Sequence, residues 1–193
     1  SQVAETLAAL EATGLSESTI VIWTTDHGDG LPRAKRDLYD SGLRVPMIVR
    51  WPGRVKPGTL SGEPVVSMDF YPTFLEIAGL KPTTGKPLDG ESLVSLFQQT
   101  GKPRREALFF HFPNYAWHMD NRLGGAVRAG NHKLIRNYDD GSVELYNLES
   151  DLSETKNLAK RHPNLASRLD RKLGRWLTDT GAWMPKPPKP RGR

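Results

Sequence analysis

Apolar positions along the first hundred residues fall into two registers, one helical and one extended. Val3, Leu7 and Leu10 recur at helical spacing with Gly14 as a stop, which predicts an amphipathic helix over Gln2–Thr13. Leu15-Ser16-Glu17-Ser18 then leads into Thr19-Ile20-Val21-Ile22-Trp23-Thr24, a β-branched and aromatic run without Gly or Pro that reads as a buried strand. Val45 to Trp51 repeats the strand pattern after a polar loop that opens on Asp26-His27-Gly28. A helix feeding a parallel strand is half of a βαβ unit, whose first strand would precede residue 1, so the chain is expected to be cut from a longer one. Val65-Val66-Ser67 reads as a short strand. Ser67 is placed to cap a helix over Met68–Ala78, ended by Gly79, with Phe70, Phe74, Ile77 and Ala78 as its buried face. A polar loop over Lys81–Gly90 precedes a short helix from Glu91 to about Gln99, closed by Gly101.

Beyond this point the pattern changes. Ala107–Phe112, Gly125–Arg128, His132–Arg136 and Val143–Tyr146 are strand-like and closely spaced. Gly130-Asn131 and Asp139-Asp140-Gly141 between them are hairpin chemistry, which predicts an antiparallel sheet of about four strands. Asn164 to about Thr180 is amphipathic, with Leu165, Leu169, Leu173, Trp176 and Leu177 on the face that would pack across the sheet. The fold expected is α/β: the C-terminal part of an α/β domain over 1–103, an α+β subdomain over 104–184, and a Pro/Lys-rich tail over 185–193.

Composition narrows the function classes. The chain has 193 residues, 37% hydrophobic and 25% charged, as expected of a folded globular protein. No apolar run approaches the roughly 20 residues of a membrane helix, and no signal-peptide pattern opens the chain. Absence of Cys excludes disulfides and thiolate-bound metals. The net charge of +5 comes partly from Lys186, Lys189, Arg191 and Arg193 in the tail. No interleaving of basic and aromatic residues accompanies it, so an anionic substrate is expected before nucleic acid.

Loops leaving the carboxyl ends of strands bind ligands in open α/β sheets, and here such a loop begins with adjacent Asp26 and His27. A carboxylate suits Ca²⁺ or Mg²⁺, an imidazole tilts toward Zn²⁺ or Mn²⁺, and Gly28 lets the backbone approach a ligand. Two ligands are too few, with Asp29 and Asp37 as further candidates; the alternative is a turn in which Asp26 bonds backbone amides. Lys35, flanked by Arg33 and Arg36, is either a point-charge clamp for phosphate or sulfate oxygens or a solvated surface lysine.

The ordered blocks carry a resemblance. Thr24-Thr25-Asp26-His27-Gly28, then Lys35, Tyr39-Asp40, Gly42, Arg44-Val45-Pro46 and Ile48–Gly53, resemble the sulfatases of the alkaline-phosphatase superfamily. Val66–Thr73 resembles their helix with Asp and Pro-Thr, Leu88–Leu93 their LDGxSL turn, and Glu144–Asp151 with Glu154–Ala159 their C-terminal ELYNL and ExxNLA blocks. Leu152 stands where their proline is usual.

The resemblance implies an alkaline-phosphatase-like α/β/α domain and sulfate-ester hydrolysis. It makes Asp26 and His27 metal ligands, for Ca²⁺ with Mg²⁺ possible, and Lys35 the residue that binds and neutralises the sulfate. Arg44 would brace the loop. His111, in Phe110–Tyr115, would contact substrate or be a half-buried strand histidine, while His118, His132 and His162 read as surface or hairpin residues. The family's formylglycine arises from Cys or Ser in a C/S-x-P-S-R-like segment, which this sequence lacks, so it is expected in an N-terminal part of the catalytic domain, and the chain alone is expected to be inactive. Implied partners are a sulfated small molecule or saccharide, and the implied location is periplasmic or secreted. The alternatives are a phosphodiesterase or phosphonate hydrolase of the superfamily, or a non-catalytic truncated module.

Overall fold

The computed structural model describes residues 1–28, 34–83, 85, 87–114 and 122–185. Asp29, Arg33, Tyr115, His118 and the basic tail lie outside the described residues. Two compact units divide the chain, Ser1–Thr24 with Pro46–Arg105 and Thr25–Val45 with Glu106–Arg193. The sequence reading draws one line near residue 103. The contacts also assign segment 25–45 to the second unit, because Leu38, Tyr39 and Leu43 pack in that unit's core.

In the first unit, helix α1 spans Gln2–Ala12, and strand β1 (Val21–Thr24) pairs antiparallel with β2 (Met47–Arg50). The Arg50 guanidinium fastens the β2 end by donating to the Ser16 carbonyl at 2.7 Å and the Ser16 hydroxyl at 2.9 Å. Val66 is extended (φ −139°, ψ 154°) but belongs to no strand, and the Ser67 side chain makes no cap. The cap comes from Asp69, whose carboxylate accepts the Val66 N–H at 2.9 Å before α3 (Phe70–Ile77) begins.

The buried face of α3 is also not the apolar one. Phe74 is exposed and so is Ala78, whereas Asp69 and Thr73, one helical turn apart, are fully buried. Their polar atoms are committed to backbone. Asp69 accepts the Glu91 N–H at 3.0 Å, and the Thr73 hydroxyl donates to the Asp69 carbonyl and accepts the Leu93 N–H at 2.9 Å. The Arg105 fork grips the same carboxylate at 2.5 and 2.6 Å, a bidentate charge-assisted pair. Glu91 in turn accepts the N–H groups of Arg104 and Arg105. With Glu91 and Leu93 so engaged, the helix expected from Glu91 starts only at Val94, as α4 (Val94–Phe97).

The second unit is an antiparallel meander of β3 (Leu108–Phe112), β4 (Gly124–Ala129), β5 (His132–Asn137) and β6 (Val143–Asn147), as the hairpin signals predict. Alternation gives the sheet two buried faces. Val127, Leu134 and Leu145 on one face meet Ala166, Leu169, Leu173 and Leu177 of α5 (Pro163–Asp179). Ala126, Ile135 and Tyr146 on the other meet Leu38, Tyr39 and Leu43 of segment 25–45. Adjacent glycines in β4 make room on each side: a Cβ at Gly124 would press on the Leu38 side chain, and one at Gly125 on the Tyr138 hydroxyl.

Burial pulls the Asp69 carboxyl up, but the Arg105 guanidinium and the amides of Val66 and Glu91 outweigh it and hold it below the ordinary range. Its stabilisation is therefore complete above the unfolded aspartate value of about 3.9 and drains away as pH falls through the lower folded value. Asp69→Asn should cost roughly 3 kcal/mol at neutral pH. Thermal melts below about pH 4 should show the wild type losing stability more steeply than the variant; parallel curves would refute the assignment.

Candidate functional site

Segment 25–45 owes its shape to two glycines and a buried cluster of charge. The Gly28 N–H donates to the Gly42 carbonyl at 3.1 Å, closing the loop on itself. Side chains are excluded there, since a Cβ at Gly28 would collide with the Ser41 carbonyl and one at Gly42 with the Ala34 carbonyl. The turn after Ala34 places Arg36 at φ 69°, a left-handed conformation uncommon for a residue with a side chain. Short helix α2 (Asp40–Leu43) follows, and the Arg44 N–H caps it by donating to the Asp40 carbonyl at 2.7 Å. Arg44 thus supports the loop through its backbone, while its side chain is exposed.

The anchor is Lys133 of β5, only 1% exposed, whose Nζ lies 2.9 Å from Asp40 Oδ1 and 2.9 Å from Glu154 Oε1. Glu154, also 1% exposed, accepts the Asp40 backbone N–H at 2.5 Å. Arg128 approaches the second Asp40 oxygen at 3.8 Å. Glu154 is turned inward by its own left-handed backbone (φ 53°) in a turn where Asp151 accepts the N–H groups of Thr155 and Lys156. Burial raises the Glu154 carboxyl and Asp40 adds to this, while Lys133 and the Asp40 amide pull it back. Tyr39 adds a tether, its hydroxyl donating to Glu144 at 2.8 Å beside the Tyr146 hydroxyl at 2.6 Å.

The loop presents three of the expected residues. The Asp26 carboxylate is 86% exposed and lies 3.3 Å from His27 Nε2. His27 Nδ1 is 2.6 Å from the Gly28 carbonyl, which can only accept, so Nδ1 is the donor in that contact. That donor set fits a share of a cation site: the carboxylate suits a hard cation, and the imidazole nitrogen is a borderline ligand. Among the described residues no third histidine or carboxylate joins them, and Asp37 instead accepts the Leu38 N–H at 3.0 Å. Lys35 is half-buried on the turn before the anchored segment.

His111 stands apart. Its position in β3 opposite Gly125 puts it on the α5 face of the sheet, whereas Leu38 and Tyr39 of the Lys35 loop pack on the other. Both ring nitrogens are engaged, Nε2 at 2.8 Å from the Trp183 carbonyl and Nδ1 at 2.8 Å from the Tyr138 hydroxyl. A carbonyl only accepts, so Nε2 is the donor and Tyr138 donates to Nδ1. Burial pushes the Tyr138 phenol up to about 12 against the pull of Arg136, which keeps it a donor at neutral pH. The geometry is that of a strand histidine holding the chain after α5. His132 is half-buried in β5 and His162 is exposed before α5.

The sequence reading missed Asp40, Lys133 and Glu154. The available signal was a lysine beside Leu134 and Ile135 in an apolar strand, with acids inside two of the recurring blocks.

Residues 33–179 match the family model for the C-terminal region of N-sulphoglucosamine sulphohydrolase. The chain is 36% identical over 202 residues to a sulfatase of Formosa agariphila, covering 90% of this chain and 36% of that protein. It is 32% identical over 176 residues to an N-acetylglucosamine-6-O-sulfatase of Bacteroides thetaiotaomicron, covering 83% and 31%. An enzyme solved in complex with its substrate D-glucosamine-2-N,6-O-disulfate matches with a TM-score of 0.80 at 27% identity, over 91% of this chain and 37% of that one. A phosphonate monoester hydrolase from Silicibacter pomeroyi shares the fold, with a TM-score of 0.73 at 24% identity over 92% and 38%. The chain spans about a third of the length of the curated relatives it matches. The fold is that of the alkaline-phosphatase-like sulfatases, in their C-terminal portion. The chain belongs to the sulfatase family defined by the N-sulphoglucosamine sulphohydrolase C-terminal region.

Replacing Lys133 by Met would leave Asp40 and Glu154 buried without their counter-charge. The variant should lose about 3–5 kcal/mol in chemical denaturation. Trypsin should also cut faster at Lys35 and Arg36 under native conditions, reporting a loosened loop. A variant with unchanged stability and cutting would remove Lys133 from this role.

Proposed function

We propose that this chain supplies the sulfate-binding side of a sulfuric ester hydrolase acting on a sulfated saccharide. The observation that carries the reading is the placement of Lys35 and the Asp26–His27 pair on one anchored loop, within a chain of sulfatase descent. Lys35 has no ion-pair or hydrogen-bond partner among the described residues, and its loop is held by the buried Lys133, Asp40 and Glu154. Its ammonium would bind the sulfate oxygens as a point charge and neutralise what develops on them as the ester bond breaks.

Asp26 and His27 would hold a Ca²⁺, or Mg²⁺, together with ligands from elsewhere, and when bound that ion neutralises charge on the same oxygens. The sequence contains no Cys and no C/S-x-P-S-R segment, so the nucleophile, a formylglycine in this reading, lies outside these residues and the chain by itself would not turn over substrate. Saccharide as the substrate class is supported by relatives named for N-acetylglucosamine-6-O-sulfate and for ulvan. His111 is assigned to holding the segment after α5, since contact with substrate would require it to release Tyr138 or Trp183.

In the intact protein, Lys35→Ala should lower kcat/KM for p-nitrophenyl sulfate by roughly 10²–10³-fold with an unchanged circular dichroism spectrum. Near-normal turnover would remove Lys35 from the site. Faster turnover of phenylphosphonate esters than of sulfate esters by the wild type would replace the sulfatase reading with the phosphonate hydrolase one.

A further inference from the structure

The solvent face of α5 carries charge in an arrangement that helix stability does not explain. Arg168, Arg171 and Arg175 are exposed and follow one another at intervals of three and four residues, which stacks them in a single stripe. Lys172 completes the cluster, paired with Glu106 at 2.8 Å. Lys160 and Arg161 stand exposed just before the helix. Of the two acids within α5, Asp170 is drawn toward the sheet by Arg136 at 2.6 Å and Asp179 is the last residue.

Every rule of helix electrostatics runs against this pattern. Arg168 with Lys172 and Arg171 with Arg175 are like-charge neighbours one turn apart, which destabilises a helix. No acidic residue occupies the first turn and no basic residue the last, the reverse of what the macrodipole favours. A solvated face maintained only for solubility would mix the two signs. The apolar face of α5 packs against the sheet, and among the described residues Arg168, Arg171 and Arg175 have no ion-pair partner, Lys172 alone of the cluster being paired.

We propose that this stripe is a docking surface for a sulfated polysaccharide, distinct from the Lys35 loop. Guanidinium groups bind sulfate oxyanions as forks, and three of them at successive helical turns match a linear polymer bearing repeated anionic groups better than a single small ester. The stripe lies on the opposite side of the four-stranded sheet from the packed part of the Lys35 loop, so it would hold polymer without taking part in cleavage. The surface itself is inferred from charge placement alone; the choice of a sulfated chain over other polyanions rests on the proposed sulfatase function.

The test is binding of the intact protein to dextran sulfate, with neutral dextran and a DNA duplex as comparison probes. Arg168→Gln/Arg171→Gln/Arg175→Gln should weaken dextran sulfate binding by roughly tenfold or more and flatten its salt dependence. The same triple variant should keep its circular dichroism spectrum and its p-nitrophenyl sulfate kinetics. Lys35→Ala should lose p-nitrophenyl sulfate turnover while keeping the arginine-dependent, salt-sensitive part of dextran sulfate binding. Unchanged affinity of the triple variant would overturn the docking surface while leaving the proposed hydrolysis standing. Equal or tighter binding of duplex DNA through the same arginines would overturn the polysaccharide assignment and make the stripe a nucleic-acid surface. Loss of hydrolysis by the wild type toward every sulfate ester, with dextran sulfate binding retained, would count against the function and not against the surface.

Discussion

One buried lysine organises the second unit. Lys133 sits near the start of β5 with almost no solvent and faces two carboxylates, one from the segment before β2 and one from the turn after β6. Burying three charges is costly, and the arrangement holds only because each has a partner and the Asp40 amide takes a further Glu154 oxygen. The return is geometric: segments 93 and 114 residues apart are drawn to one point, and the loop bearing Asp26, His27 and Lys35 is seated on the sheet. Whatever those three residues do, they do it from a platform fixed by residues buried away from solvent.

The first unit uses the same device in another form. Asp69 collects a guanidinium fork and two amides, Thr73 collects a third amide, and Glu91 collects two more. The blocks around Asp69 and Gly90 are among those that carry the family resemblance, and here they form a structural knot. Motifs in this chain therefore divide by chemistry: Asp26, His27 and Lys35 keep side chains at least partly open to solvent, whereas Asp69, Thr73, Glu91 and Glu154 spend theirs on backbone amides and buried ion pairs.

What could be read from the sequence followed from locality. Hairpin turns, strand alternation and the amphipathic α5 are short-range signals, and the meander with its packed helix was legible from them. The positions of Asp26, His27 and Lys35 came from residue order in recurring blocks, and chemistry alone left each with a commonplace alternative. The illegible parts were pairings across distance. Ser67 looked like a cap because Asp69 two residues on gave no hint of its carboxylate folding back, and Phe74 looked buried because nothing local said that a polar Asp69–Thr73 face would turn inward. Lys133 was hidden for the same reason, since lysine is ordinarily a surface residue and its partners lie far along the chain.

Strand β5 is covered on both faces, by α5 on one and by the loop on the other, so its side chains have no indifferent position. Sliding β5 by one residue against its neighbours would carry Lys133 into the leucine cluster under α5 and turn Leu134 toward Asp40 and Glu154. An all-apolar strand could tolerate such a slip during assembly; this one cannot, because the misplaced ammonium would be buried among hydrocarbon with its carboxylates abandoned on the other side. The charge that seats the loop thereby also keeps the four strands in a single alignment, and a folding chain would reject misregistered sheets before the site is ever formed.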